Sequence, residues 1–91
     1  MTLDIRHDPA ARRFETLVDG VVCELDYQLD GATMTITHTG VPAAVGGRGI
    51  AGALVERAFE TARANGWKVV PACSYAAVWA QRHPDYAELL A

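Results

Sequence analysis

Apolar and polar residues alternate from Val21 to Leu29. Val21, Cys23, Leu25, Tyr27 and Leu29 fall on one side of an extended chain, and Val22, Glu24, Asp26 and Gln28 on the other. A period of two is that of a β-strand with one buried and one wet face. Asp19-Gly20 before it and Asp30-Gly31 after it are two-residue hairpin signals, because both positions tolerate positive φ. They predict partner strands over Arg12–Val18 and over Thr33–Thr39, the latter with Met34, Ile36 and His38 on one face. Leu3, Ile5 and His7 predict a further short strand, ended by Asp8-Pro9. The spacing then changes to that of a helix from Arg48 to Ala64, with Ile50, Ala51, Leu54, Val55, Ala58, Phe59 and Ala62 on one face and Asn65-Gly66 as its stop. Trp67–Ala72 reads as a last strand. Arriving after a helical crossover, it should run parallel to Thr33–Thr39. Ser74 is placed to cap a short helix over Tyr75–Gln81, and Pro84 to open a terminal helix reaching Leu90. The fold class is α+β: an antiparallel meander, a parallel β-α-β unit and C-terminal helices.

Three of the four residues Gly46-Gly47-Arg48-Gly49 are glycine, in a stretch where a strand gives way to a helix. Free backbone N–H groups and the positive end of a helix dipole converge on an anion in such a turn, although a flexible turn with a capping glycine has the same composition. No Gly-Lys-Ser/Thr follows, and no ribose-binding acid closes a βαβ unit, so the P-loop and dinucleotide versions are excluded. Pro71 has no N–H to continue a ladder, so the two parallel strands should part near it and leave room for an extended ligand. Cys73 lies at the mouth of that gap. It reads either as a thiol beside a helix N-terminus, where the dipole favours thiolate, or as a core cysteine. His38 reads equally as a packed histidine or as a polar group projected beside the glycine loop. Cys23, Trp79 and Tyr86 read as packing.

Ninety-one residues, 51% hydrophobic and 21% charged, make one domain over residues 1–91 and an ordinary globular composition. A net charge of −3 without a basic stripe argues against nucleic acid. No apolar run approaches the length of a membrane span, and Met1-Thr2-Leu3-Asp4 is not a signal peptide, so the expected location is the cytoplasm. Two cysteines fifty positions apart and three scattered histidines predict neither a disulfide nor a metal site.

Gly46-Gly47-Arg48-Gly49-Ile50-Ala51 resembles the acyl-CoA pyrophosphate loop, Gln/Arg-x-x-Gly-x-Gly/Ala, of the GNAT acetyltransferase superfamily, with Gly46 standing where Gln or Arg is usual. His38-Thr39-Gly40-Val41-Pro42, the loop, Pro71-Ala72-Cys73-Ser74-Tyr75 and Arg82-His83-Pro84-Asp85-Tyr86 together resemble its short subfamily of about 90 to 100 residues. The resemblance implies a minimal GNAT fold that binds acetyl-CoA or coenzyme A. The amides of Gly46, Gly47, Arg48, Gly49, Ile50 and Ala51 would hold the pyrophosphate. The pantetheine arm would lie between the strands ending at Thr39 and Cys73, and Ser74 and Tyr75 would be further cofactor-binding residues. A backbone N–H from Thr39, Gly40 or Val41 would polarise the thioester carbonyl. Cys73 and His38 match the subfamily's cysteine and histidine, which makes Cys73 a nucleophile or a neighbour of the cofactor sulfur and His38 a candidate base. The expected activity is N-acetyl transfer to a small-molecule or peptide amine. The alternatives are a module that binds CoA without transfer and a thiol redox protein.

Overall fold

The computed structural model describes residues 3–91. Strands β1 (Arg6–Asp8), β2 (Arg13–Val18), β3 (Val21–Asp30) and β4 (Thr33–Gly40) form an antiparallel meander. Helix α1 (Ile50–Asn65) crosses over to β5 (Lys68–Pro71), which pairs with β4 in parallel and completes a five-stranded sheet of order β1-β2-β3-β4-β5. Helix α2 (Ser74–Arg82) and a 3₁₀ segment (Pro84–Leu89) follow. No helix among the described residues is long and apolar enough to cross a membrane.

The hairpins form where local chemistry directs them. Asp19 and Gly20 both take positive φ, 51° and 75°, and join β2 to β3. The next loop falls one residue later than expected, on Gly31-Ala32, because Asp30 pairs with Thr33. Pairing sends Phe14, Cys23, Leu25, Tyr27, Met34, Ile36 and Val69 to one face, where α1 covers them with Ile50, Leu54, Val55, Ala58, Phe59 and Ala62. All of these are essentially buried, and both helices pack on this inner face. The outer face, carrying Arg13, Glu15, Glu24, Asp26 and Gln28, is left without a helix. Phe59, Trp79 and Tyr86 lie 5.1–5.7 Å apart between ring centroids and join α1, α2 and the 3₁₀ segment. The C-terminal segment takes the tighter 3₁₀ form instead of the expected α-helix, and the chain ends with Ala91 N–H donating to the Val69 carbonyl beside β5.

Half-buried His7 packs on the edge of this core. Its ring stacks on Phe14 at 4.2 Å, and Nε2 lies 2.7 Å from the Tyr27 hydroxyl. Burial, helped by Arg57 and opposed by Asp8, holds its pKa below the ordinary 6.5. The unfolded chain therefore takes up this proton first as pH falls, so His7 stabilises the fold above pH 6.5 and that contribution is lost on acidification. Relative to His7→Phe, which keeps the stack but cannot titrate, the wild type should lose melting temperature as pH drops from about 7.5 to about 5. Parallel pH profiles of the two proteins would exclude this role for His7.

Candidate functional site

The glycine loop follows a 3₁₀ turn (Ala43–Val45) and leads straight into α1. Gly47 and Gly49 take φ of 78° and 77°, with Arg48 between them. Left-handed and right-handed residues in alternation turn successive N–H groups toward one concavity. Gly49 is the N-cap of α1 and has no side chain to cap with, and the first turn holds no acidic residue. Among the described residues, the N–H groups of Gly47, Arg48, Gly49, Ile50, Ala51 and Gly52 have no acceptor in hydrogen-bonding geometry; the first amide to find one is Ala53, on the Gly49 carbonyl. One correction follows for the expected set: Gly46 N–H is already bonded to the Ala43 carbonyl at 3.1 Å, because it closes the preceding 3₁₀ turn. The free row is thus 47–52, not 46–51. Arg48 reaches away from it to the β2–β3 turn, Nη1 lying 2.6 Å from Asp19 Oδ2, and so ties the loop to the sheet. Nothing in the local pattern of the loop marks Asp19 as its anchor.

Beside this row the parallel pair opens. The β4–β5 register ends at Ile36↔Pro71. Both Ala72 N–H and Cys73 N–H then donate to the single Ile36 carbonyl, at 3.0 and 3.1 Å, which draws the chain off the ladder. Cys73, and not Ser74, is the N-cap of α2: its Sγ accepts from Ala76 N–H at 3.3 Å. Thr39 Oγ1 lies 3.5 Å from the same sulfur. A main-chain donor and a hydroxyl therefore meet a half-buried thiol at the mouth of the opening.

His38 does not join them. The β3–β4 register slips between Asp26 and Tyr27, where Asp26 pairs with His38 but Tyr27 with Ile36, leaving Thr37 as an extra residue in β4. Such a bulge reverses the alternation downstream. His38 therefore leaves the face of Met34 and Ile36, contrary to expectation, and Thr39 takes its place there, opposite buried Leu25. On the outer face the His38 ring folds back over Gly40, Nε2 lying 2.8 Å from where a Cβ on that residue would stand, and 3.9 Å from Glu24 Oε1. Donor atoms of Glu24, Asp26 and His38 lie within 4.8 Å of one another. The cation in this cluster is Arg13, whose Nε is 2.7 Å from Asp26 Oδ1 and whose Nη1 is 3.6 Å from Glu24 Oε2. The alternation in β4 gave no hint of the inversion. Trp79 and Tyr86 pack as expected, and the Tyr86 phenol, pushed up to about 12 first by its 2.6 Å bond to Glu60, then by burial and the Glu60 charge, stays protonated.

A hollow of about 480 Å³ lies on the outer face of β1–β3, around Arg6, Glu15, Leu17 and Val22, and is lined by no residue of the glycine loop and by neither Cys73 nor His38. The family model described as GCN5-related N-acetyl-transferase matches residues 13–89. An NMR solution structure of a GCN5-like candidate N-acetyltransferase from Staphylococcus aureus is similar over 98% of this chain and 88% of its own, at 27% identity and a TM-score of 0.78.

The conformation of the loop can be tested by two substitutions. A Cβ on Gly49 meets nothing within 4 Å, so the penalty of Gly49→Ala is purely the left-handed φ, about 1 kcal/mol or more. Gly46→Ala, at φ −66°, should be neutral or stabilising by a few tenths of a kcal/mol, or about 1 at most. Equal effects of the two on denaturant unfolding would contradict the loop geometry.

Proposed function

The chain belongs to the GCN5-related N-acetyltransferase family, and we propose that it binds acetyl-CoA at the Gly47–Gly52 amides and moves the acetyl group to an amine. The observation that carries this reading is the row of six unbonded N–H groups at an acid-free helix start, set beside two parallel strands that part. The row suits a diphosphate, which needs several donors at once and gains from the helix dipole. Acetyl-CoA supplies an acetyl group activated as a thioester.

The chain's own part is binding, orientation and proton transfer. Amides 47–52 hold the pyrophosphate, and the gap beyond Ile36 and Pro71 takes the pantetheine arm. An N–H of Thr39, Gly40 or Val41, on the stretch of β4 released from β5, stabilises charge developing on the carbonyl oxygen. Thr39 Oγ1 and Ala76 N–H orient the Cys73 sulfur at the same mouth. The acceptor comes from the outer face, which no helix covers. His38 Nε2 is exposed there, beside Glu24, to take the proton that the amine loses. Attack needs the neutral amine, so transfer should rise with pH. His38 and Cys73 thus serve opposite faces of one opening and are not a hydrogen-bonded pair.

Isothermal titration should give one site for CoA and for acetyl-CoA, and failure of both to bind would overturn the reading. With spermidine or a lysine peptide as acceptor, Cys73→Ala should slow transfer about tenfold or more with CoA affinity little changed. Unchanged turnover in Cys73→Ala and Cys73→Ser would remove the thiol from the reaction. Mass spectrometry after incubation with acetyl-CoA then reports whether acetyl resides on Cys73.

A further inference from the structure

Strand pairing lays out the outer sheet face of β1–β3 in rows. Leu17 stands opposite Val22, Glu15 opposite both Arg6 and Glu24, and Arg13 opposite Asp26. Leu17 and Val22 are the two most exposed large apolar side chains among the described residues, at 67% and 50%. A single exposed aliphatic residue is ordinary, but here two stand face to face and line one hollow together with Glu15, Arg6 and Asp4. No helix covers them.

The charges on this face do not balance. Glu15 and Glu24 are directly opposite each other, and like charges in that relation destabilise a strand pair. Glu24 has Arg13 Nη1 at 3.6 Å. Half-buried Glu15 has no hydrogen bond or ion pair among the described residues, because Arg6, its other neighbour in register, turns its Nε to Asp4 Oδ2 at 3.7 Å. A cation arriving from outside removes the repulsion. The carboxylates of Asp4, Glu15, Glu24 and Asp26 outnumber the guanidiniums of Arg6 and Arg13, so a second copy of this face would meet it with like charge and a basic segment with the opposite one. The face also runs on to His38, whose Nε2 is 3.9 Å from Glu24 Oε1. Glu15 then lies about 10 Å from that nitrogen, two strand spacings away, and the Leu17–Val22 pair about 7 Å beyond it along the strands.

We infer that the outer face of β1–β3 docks a basic segment of a partner protein and so presents a lysine of that segment to His38. Glu15 takes a second basic residue, and the Leu17–Val22 pair takes an aliphatic one. This rests on the acetyl-transfer reading above and gives its acceptor a class. At about 3.4 Å per residue of extended chain, the basic residue falls about three positions from the lysine and the aliphatic one about five. A free polyamine offers the second charge but no branched side chain for the apolar pair, so the surface favours a peptide over it.

The test uses three fluorescently labelled peptides at fixed salt. The first has a central lysine flanked on both sides by arginine at the third position and leucine at the fifth, the second replaces arginine by glutamate, and the third replaces leucine by serine. By anisotropy, without cofactor, wild type should bind the first about tenfold or more tighter than the second and about tenfold tighter than the third. Glu15→Gln should cut the first preference about threefold or more, and Glu15→Lys should cut it further. Leu17→Ser should abolish the second preference. With acetyl-CoA, the same ratios should appear in kcat/KM for transfer and be carried by KM. Circular dichroism melting checks that each variant is folded. Equal binding of the three peptides by wild type, or preferences unchanged in Glu15→Lys and Leu17→Ser, overturns the docking surface and leaves the acetyl-CoA reading standing. Discrimination among the peptides by a wild type that binds no CoA overturns the acetyl-CoA reading, and with it the role of the surface in presenting a lysine for transfer.

Discussion

Backbone N–H groups need acceptors, and this chain gathers six consecutive ones at the start of α1 without supplying any. Gly47, Arg48 and Gly49 are exposed and Ala51 and Gly52 half-buried, so water can reach much of the row and leaving it open carries little penalty there. An anion replaces that water with charge-assisted bonds at about twice the strength of neutral ones. The rest of the fold serves to hold this row still. The meander fixes Asp19, which clamps Arg48 and through it the loop. The inner-face core seats α1 by Ile50, Leu54 and Val55, which fixes the start of the helix.

Two small irregularities shape the end of the parallel pair. Pro71 and the doubly used Ile36 carbonyl end the parallel ladder and let β4 and β5 diverge. The extra residue Thr37 rotates the end of β4, so that Thr39 meets the Cys73 thiol inside while His38 sits with Glu24 outside. Without the bulge, His38 would be aimed at the core face. One inserted residue thus sorts the thiol and the imidazole onto opposite faces.

The local features were legible in the sequence. Asp19-Gly20 prefers positive φ whatever lies around it, the alternation in β3 names its buried side, and the stripe from Ile50 to Ala62 gives α1 within two residues. The parting of the strands was legible too, because a proline without an N–H is a local fact. What escaped depends on pairing between segments. A bulge is a mismatch of two strands, and nothing in Thr33–Thr39 alone distinguishes it from a regular strand. Gly46 N–H is lost to a 3₁₀ turn that no hydrophobic period announces, and the Arg48–Asp19 tie joins positions twenty-nine apart. Gly52 left a readable trace, a glycine in the first turn of an otherwise well-formed helix, whose reason appears only when Tyr75 and Trp79 are seen above it.

The central claim is that the free donors of residues 47–52 grip a diphosphate, and amide NMR reports on those donors one by one. In a ¹H–¹⁵N titration with CoA, the amide resonances of Gly47, Arg48, Gly49, Ile50, Ala51 and Gly52 should show the largest saturable shifts, downfield in proton as charge-assisted bonds form, while Gly46, already bonded to Ala43, moves little. Shifts concentrated on the outer face of the sheet with the 47–52 row unmoved, or no shifts at all, would contradict the account.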